Sequence, residues 1–183
     1  MTVENLKNAL PEFAKDIKLN LSSLASDESL TSQQLWGAFL ACAIATRQSE
    51  VISALESEVQ DKLSPEAINA ARSAAVIMAM NNVYYRSVHI MSNKEYQAMS
   101  AKLRMNILAN HGVDKIDFEL WALAVSAVNG CGMCLDAHEA QLIKHDLSKE
   151  QIQVALRIAA TVNAAATAID AMRNIPQSLA QAA

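Results

Sequence analysis

A chain of 183 residues, 52 % of them hydrophobic, can bury one compact core without disulfides or metal ions to staple it. Its net charge of −4 is mild and spread along the chain, which excludes the basic stripe of a nucleic-acid binder and the acidic tail of a disordered segment. Aromatics make up only 4 %, and Gly (4) and Pro (3) are scarce, so the composition predicts long helices joined by short connections.

The opening residues Met1-Thr2-Val3-Glu4 lack the basic-then-apolar pattern of a signal peptide. The longest apolar runs, such as Ala74 to Met80, are too short to span a bilayer. A cytoplasmic protein with no membrane contact is the expectation. Thr31 with Gln34 fits a capping box, and behind it Leu35, Phe39, Leu40 and Cys42 to Ala43 repeat at helical spacing. Cys42 has no histidine near it in this run and reads as a small core residue. Ser64 before Pro65 fits an N-cap with proline at the first helical position. Asn81 and Asn82 interrupt the apolar pattern before Tyr84-Tyr85-Arg86 and are assigned to packing or capping. Ser92 with Glu95 and Ser148 with Gln151 fit two further capping boxes, and Ile152, Leu156, Ala159 and Ala160 form another helical face. His89 and His111 have no partner at useful spacing, His145 suits a helix C-terminus, and the methionines read as core and interface fillers.

No stretch alternates with period two for long enough to form a sheet. The fold class is therefore all-α: one compact domain over 1–183, with about seven to eight helices. An internal echo suggests two related halves. Leu35-Trp36 recurs as Leu120-Trp121 after 85 positions, and Leu63-Ser64-x-Glu66-x-Ile68 recurs as Leu147-Ser148-x-Glu150-x-Ile152 after 84. By the first interval Cys131 and Cys134 align with Thr46 and Ser49, and His138 with Ser53. Any chemistry then sits in the second half, about 115–175, and the first, about 30–90, is scaffold.

The chemistry-bearing stretch runs from Glu119 to Glu139. An apolar helix over about Phe118 to Val128 is broken at Asn129-Gly130, and a second helix is predicted to begin near Cys131. A cysteine at a helix N-terminus is favoured as thiolate by unsatisfied N–H groups and the helix dipole. Cys134 and His138 stand four apart on one face, where the imidazole can take a thiol proton. The helix end favours Cys131 as the activated thiol, whereas the histidine register favours Cys134 and is given more weight, because it can move the proton. A thiolate attacking a peroxide becomes a sulfenic acid, the second cysteine condenses with it to a disulfide, and a dithiol donor restores the pair. Glu119, twelve residues before Cys131, reaches His138 if the two helices fold back across Asn129-Gly130. Most helix glutamates are solvated instead. Two cysteines and one histidine supply only three ligands, one short of a structural zinc site, so no metal is assigned.

With Glu119, Cys131-x-x-Cys134 and His138 at these intervals, the chain resembles the alkyl hydroperoxidase D family, within the carboxymuconolactone decarboxylase superfamily. Leu6 to Glu12, Asp16 to Leu21, Met80 to Val83 and Leu103 to Ile107 also look like family sequence, so the resemblance covers nearly the whole chain. It implies an all-helical homotrimer and an antioxidant peroxidase. By the family's motif Cys134 corresponds to the peroxide-reacting thiol, Cys131 to the resolving thiol, and Glu119 and His138 to a proton relay. The implied partners are a peroxiredoxin-type hydroperoxide reductase and a lipoyl-bearing dihydrolipoamide acyltransferase with its dehydrogenase. Dihydrolipoamide is the implied electron donor, with no bound cofactor. Well-known members carry a second histidine before the second cysteine, where this chain has Met133, and a thioether cannot shuttle protons. That departure keeps open a redox adaptor that passes electrons from a lipoyl protein to a peroxiredoxin with little peroxidase activity of its own. The other alternative, decarboxylase-like acid–base chemistry on Glu119 and His138, is disfavoured by the intact cysteine pair.

Overall fold

Residues 2–173 are described by a computed structural model, and within them lie nine α-helices, three short 3-10 turns and no β-strand. The helices are α1 (Val3–Ala9), α2 (Lys15–Ala25), α3 (Ser32–Thr46), α4 (Ser49–Glu58), α5 (Pro65–Ile90), α6 (Glu95–Ala98), α7 (Lys115–Val128), α8 (Gly132–Lys144) and α9 (Lys149–Arg173). The all-α class is as the sequence indicates. The helix count exceeds seven to eight because α1 and α6 have only 7 and 4 residues, too few for a periodic apolar face to register.

Local chemistry explains most of the boundaries. Thr31 and Gln34 exchange both capping-box bonds at α3, and Ser148 and Gln151 do the same ahead of α9. Ser64 caps α5 through the Ala67 N–H, with Pro65 at the first helical position. The box read at Ser92 and Glu95 does not form. Asn93 Oδ1 accepts from the Glu95 N–H instead, at 3.0 Å, and α6 ends after one turn. At α7 the N-cap is Asp114, whose carboxylate accepts from Ile116 N–H at 2.7 Å, so the helix starts three residues earlier than the expected Phe118.

Helix α3 lies at the centre, against α5, α7 and α9, and α7 in turn packs against α5, α8 and α9. Residues 34–43 of α3 are buried on every side, and so are residues 117–126 of α7 with the single exception of Glu119. Helices apolar all round belong in a core, and these two form it. They approach closely at Gly37, where a Cβ would sit inside the indole ring of Trp121. The same indole donates its Nε1–H to the Gln34 carbonyl at 3.1 Å, so the fully buried Trp121 leaves no polar atom unpaired. Cys42 is fully buried, as its apolar run suggested, and burial pushes its thiol pKa well above the usual range. Helix α9 is long and apolar enough to cross a membrane by length and composition, although 61 % of its most apolar window is buried inside the protein. Its interleaved polar residues hide that length from a search for unbroken apolar runs.

The run α3–α4–α5 is matched in order by α7–α8–α9, with N-caps Thr31 and Asp114, Gln48 and Cys131, and Ser64 and Ser148. These caps are 83, 83 and 84 positions apart (114 − 31, 131 − 48, 148 − 64). The Leu-Trp echo at 85 is therefore two residues out of step with the helices, and Cys131 stands opposite Gln48, not Thr46.

Gly37→Ala places its methyl group in the Trp121 ring and should lower stability by about 1–3 kcal/mol, the usual range for overpacking a full core. Urea unfolding followed by tryptophan fluorescence measures this, and an unchanged midpoint would mean that the indole has another place to go.

Candidate active site

Helix α7 ends at Val128, and Asn129-Gly130 turns the chain back on itself. Gly130 takes φ +66°, a left-handed conformation that glycine adopts without steric cost. The turn is pinned from α5. Asn82 Nδ2 donates to Ser126 Oγ, Asn129 Nδ2 donates to Asn82 Oδ1, both at 2.9 Å, and Arg86 donates to the Asn129 carbonyl. Asn82 thus has the packing role read from sequence, as the buried centre of the bonds that fold α8 against α7.

Cys131 is the N-cap of α8, and its Sγ accepts from the Cys134 N–H at 3.3 Å. The two cysteines are joined in a disulfide. They are not equivalent: Cys131 is 0 % exposed, whereas Cys134 retains 6 % exposure and lines a pocket. One turn further along α8, His138 lies in the same pocket. Its Nδ1 is 2.7 Å from Glu119 Oε2, so the two helices do fold back as the spacing requires. A carboxylate can only accept, so Nδ1 is the donor in this contact and Nε2 is left for other partners. Nε2 faces Met78 Sδ at 3.3 Å, not a cysteine sulfur, while the two sulfurs are bonded to each other. Glu119 is the one residue in 117–126 that is not fully buried, and the face it turns outward carries this histidine contact.

The pocket has a volume of about 240 Å³ and a mostly apolar wall. Its remaining sides come from Met78, Asn81 and Tyr85 of α5 and from Met105 and Leu108 of the exposed segment before α7. Met133 opens onto it from α8. Sequence spacing identified Cys131, Cys134, His138 and Glu119, but none of the α5 or 105–108 contributors, which lie 26 to 60 residues from Cys134 or His138 in the chain (134 − 108 to 138 − 78). No local pattern carries contacts of that range. His111 stacks on Phe118 with ring centroids 4.4 Å apart, and His145 is the C-cap of α8, both away from the pocket lining. Among the described residues no group of three or more His, Cys, Asp or Glu side chains is arranged to hold a metal ion.

An all-helical protein with a helix-borne dithiol beside a Glu–His pair is the class that fold and site define, and known proteins narrow it. The profile of the carboxymuconolactone decarboxylase family matches residues 94–174, the stretch that holds all four residues. Three relatives, each named alkyl hydroperoxide reductase AhpD, come from Maricaulis maris, Rhodopseudomonas palustris and Brucella abortus and are 58 %, 60 % and 57 % identical to this chain. Each alignment covers 93 % of this chain, and 99 %, 94 % and 98 % of the respective relative. The chain belongs to the AhpD family.

Differential alkylation reads the asymmetry of the two sulfurs. After reduction of the folded protein, iodoacetamide should modify Cys134 first, Cys131 slowly and Cys42 only on unfolding, as followed by peptide mass spectrometry. Modification of Cys131 ahead of Cys134 would contradict the exposure order.

Proposed function

We propose that this protein is a thiol-dependent alkyl hydroperoxide reductase in which Cys134 meets the peroxide, Cys131 resolves the product, and His138 with Glu119 manages the protons. The observation that carries this reading is the exposure of Cys134, alone of the pair, to a pocket it shares with a Glu-paired histidine. Glu119 holds the imidazole by Nδ1 and leaves Nε2 to exchange a proton with the Cys134 thiol one turn away. The thioether of Met78 is too weak an acceptor to keep that proton for itself. The thiolate takes the terminal oxygen of the peroxide and becomes a sulfenic acid while the alcohol leaves. Cys131 then displaces water to close the disulfide, which protects Cys134 from over-oxidation.

Reduction follows from the same asymmetry. A dithiol such as dihydrolipoamide attacks the accessible sulfur, Cys134, and forms a mixed disulfide as the Cys131–Cys134 bond breaks. Cys131 leaves as a thiolate, which the Cys134 N–H and the α8 N-terminus stabilise. The donor's second thiol then displaces Cys134 and completes its own ring. The implied source of these electrons is a lipoyl-bearing acyltransferase with its dehydrogenase, and the implied system includes a peroxiredoxin-type hydroperoxide reductase, all in the cytoplasm. Met133 favours a second reading, in which the dithiol serves chiefly as an adaptor between those two proteins, because no second imidazole stands at the pocket to speed peroxide cleavage.

Self-association, which the family resemblance implies as a trimer, has support of its own only as association. Val76, Val83 and Ile90 are exposed and seven residues apart on α5, which makes one apolar stripe along this helix.

Peroxide consumption with dihydrolipoamide tests the function. Cys134→Ser should abolish turnover, and Cys131→Ser should allow one sulfenic acid event and then stall. Glu119→Gln should slow turnover by about 10²-fold, the lower end of general acid–base effects. Wild-type protein that consumes no peroxide, yet whose disulfide dihydrolipoamide reduces, decides for the adaptor. In light scattering, Val83→Glu should convert a trimer to monomer, and a monomeric wild type would remove the trimer altogether.

A further inference from the structure

Asn81 lies in α5, is 5 % exposed and lines the pocket with Cys134 and His138, yet its Oδ1 has no hydrogen-bond partner. It is the one buried side-chain polar atom among the described residues left in this state. A buried amide oxygen left unpaired is unfavourable. Its neighbour Asn82 has the ordinary solution, with bonds to both Ser126 and Asn129. The packing or capping role read from sequence therefore fits Asn82, whereas Asn81 sits mid-helix with nothing to cap. A buried polar atom that no part of the chain satisfies, in a residue that lines a mostly apolar pocket, is a candidate to meet a ligand there.

We propose that Asn81 anchors the terminal O–H of the hydroperoxide at Cys134. The proposal rests on the hydroperoxide-reductase reading above. A hydroperoxide ROOH has one donor, its terminal O–H, and an unpaired carbonyl oxygen is the complementary acceptor. Met78, Met105 and Leu108 offer apolar contact to the R group on the remaining wall. In the step itself the Cys134 thiolate forms an S–O bond to the terminal oxygen as the O–O bond breaks. Sulfur is oxidised to the sulfenic acid, the peroxide is reduced, and the departing alkoxide takes a proton from His138 to leave as the alcohol. The hydrogen on the transferred oxygen stays there, so its bond to Asn81 persists from hydroperoxide to sulfenic acid. The anchor thus steadies the reacting oxygen through the whole displacement without giving or taking a proton.

The test uses full-length protein carrying Cys131→Ser, so that only sulfenic acid formation is read, with and without Asn81→Leu, which keeps the branched shape and removes the acceptor. Stopped-flow oxidation by cumene hydroperoxide should slow by about 10- to 100-fold, the loss expected for one buried hydrogen bond made to the reacting group. Alkylation of Cys134 by iodoacetamide needs the thiolate but no O–H anchor, and should stay within about twofold. Asn81→Ala, a smaller change, should show the same split. Equal slowing of both reactions would make Asn81 a packing residue and overturn the proposal, as would an unchanged peroxide rate. If the Cys131→Ser protein with Asn81 intact forms no sulfenic acid at all, the hydroperoxide-reductase reading fails first and takes this inference with it.

Discussion

The contact on which the site depends lies in the core, where Trp121 of α7 fills the space left by the missing side chain of Gly37 in α3. A fully buried indole with its Nε1–H committed to the Gln34 carbonyl cannot rotate without losing both packing and a hydrogen bond. That contact sets the rotation of α7. Residues two apart on a helix point about 200° from one another, so turning Trp121 toward α3 turns Glu119 away from it, toward α8. The pairing of Glu119 with His138 at 2.7 Å is the downstream result.

Placing the cysteine pair at a helix start gives two otherwise similar sulfurs different surroundings. Cys131 is buried as the N-cap, where its sulfur receives a backbone N–H. Cys134, at the third position of the helix, keeps access to the pocket. The earlier helix run has the same cap geometry with different chemistry. Gln48 caps α4 by accepting from the Val51 N–H, just as Cys131 caps α8 by accepting from Cys134. A capping position needs only an acceptor of suitable reach, so it tolerates exchange of an amide for a thiol. The redox function therefore rests on a site that already had a structural reason to exist.

The pocket is assembled from parts with different levels of support. α5 and α8 are continuous helices, and the Asn82, Ser126 and Asn129 bonds tie α5 to the end of α7 and to the turn before α8, whereas Met105 and Leu108 come from a segment that holds only a one-turn helix and a 3-10 turn. Cys134 and His138 sit on the helical side and much of the apolar wall on the other. Such a division holds sulfur and imidazole in register while leaving the substrate side of the pocket to side chains that adapt.

Much was legible in the sequence because it is local. Capping boxes at Thr31 and Ser148, the Ser64-Pro65 start, the turn at Asn129-Gly130 and the i, i+4 register of Cys134 with His138 all act within one or two helical turns. The box at Ser92 failed for an equally local reason, since Asn93 offered the Glu95 N–H a nearer acceptor. Composition and periodicity likewise determined the all-α class. Tertiary structure alone decided that Glu119 is paired and not solvated, that Cys134 and not Cys131 meets the pocket, and that Asn82 is satisfied while Asn81 is not. Each of these depends on which helix lies across from which, and that is set by long-range packing such as Trp121 against Gly37, which leaves no periodic trace in either segment.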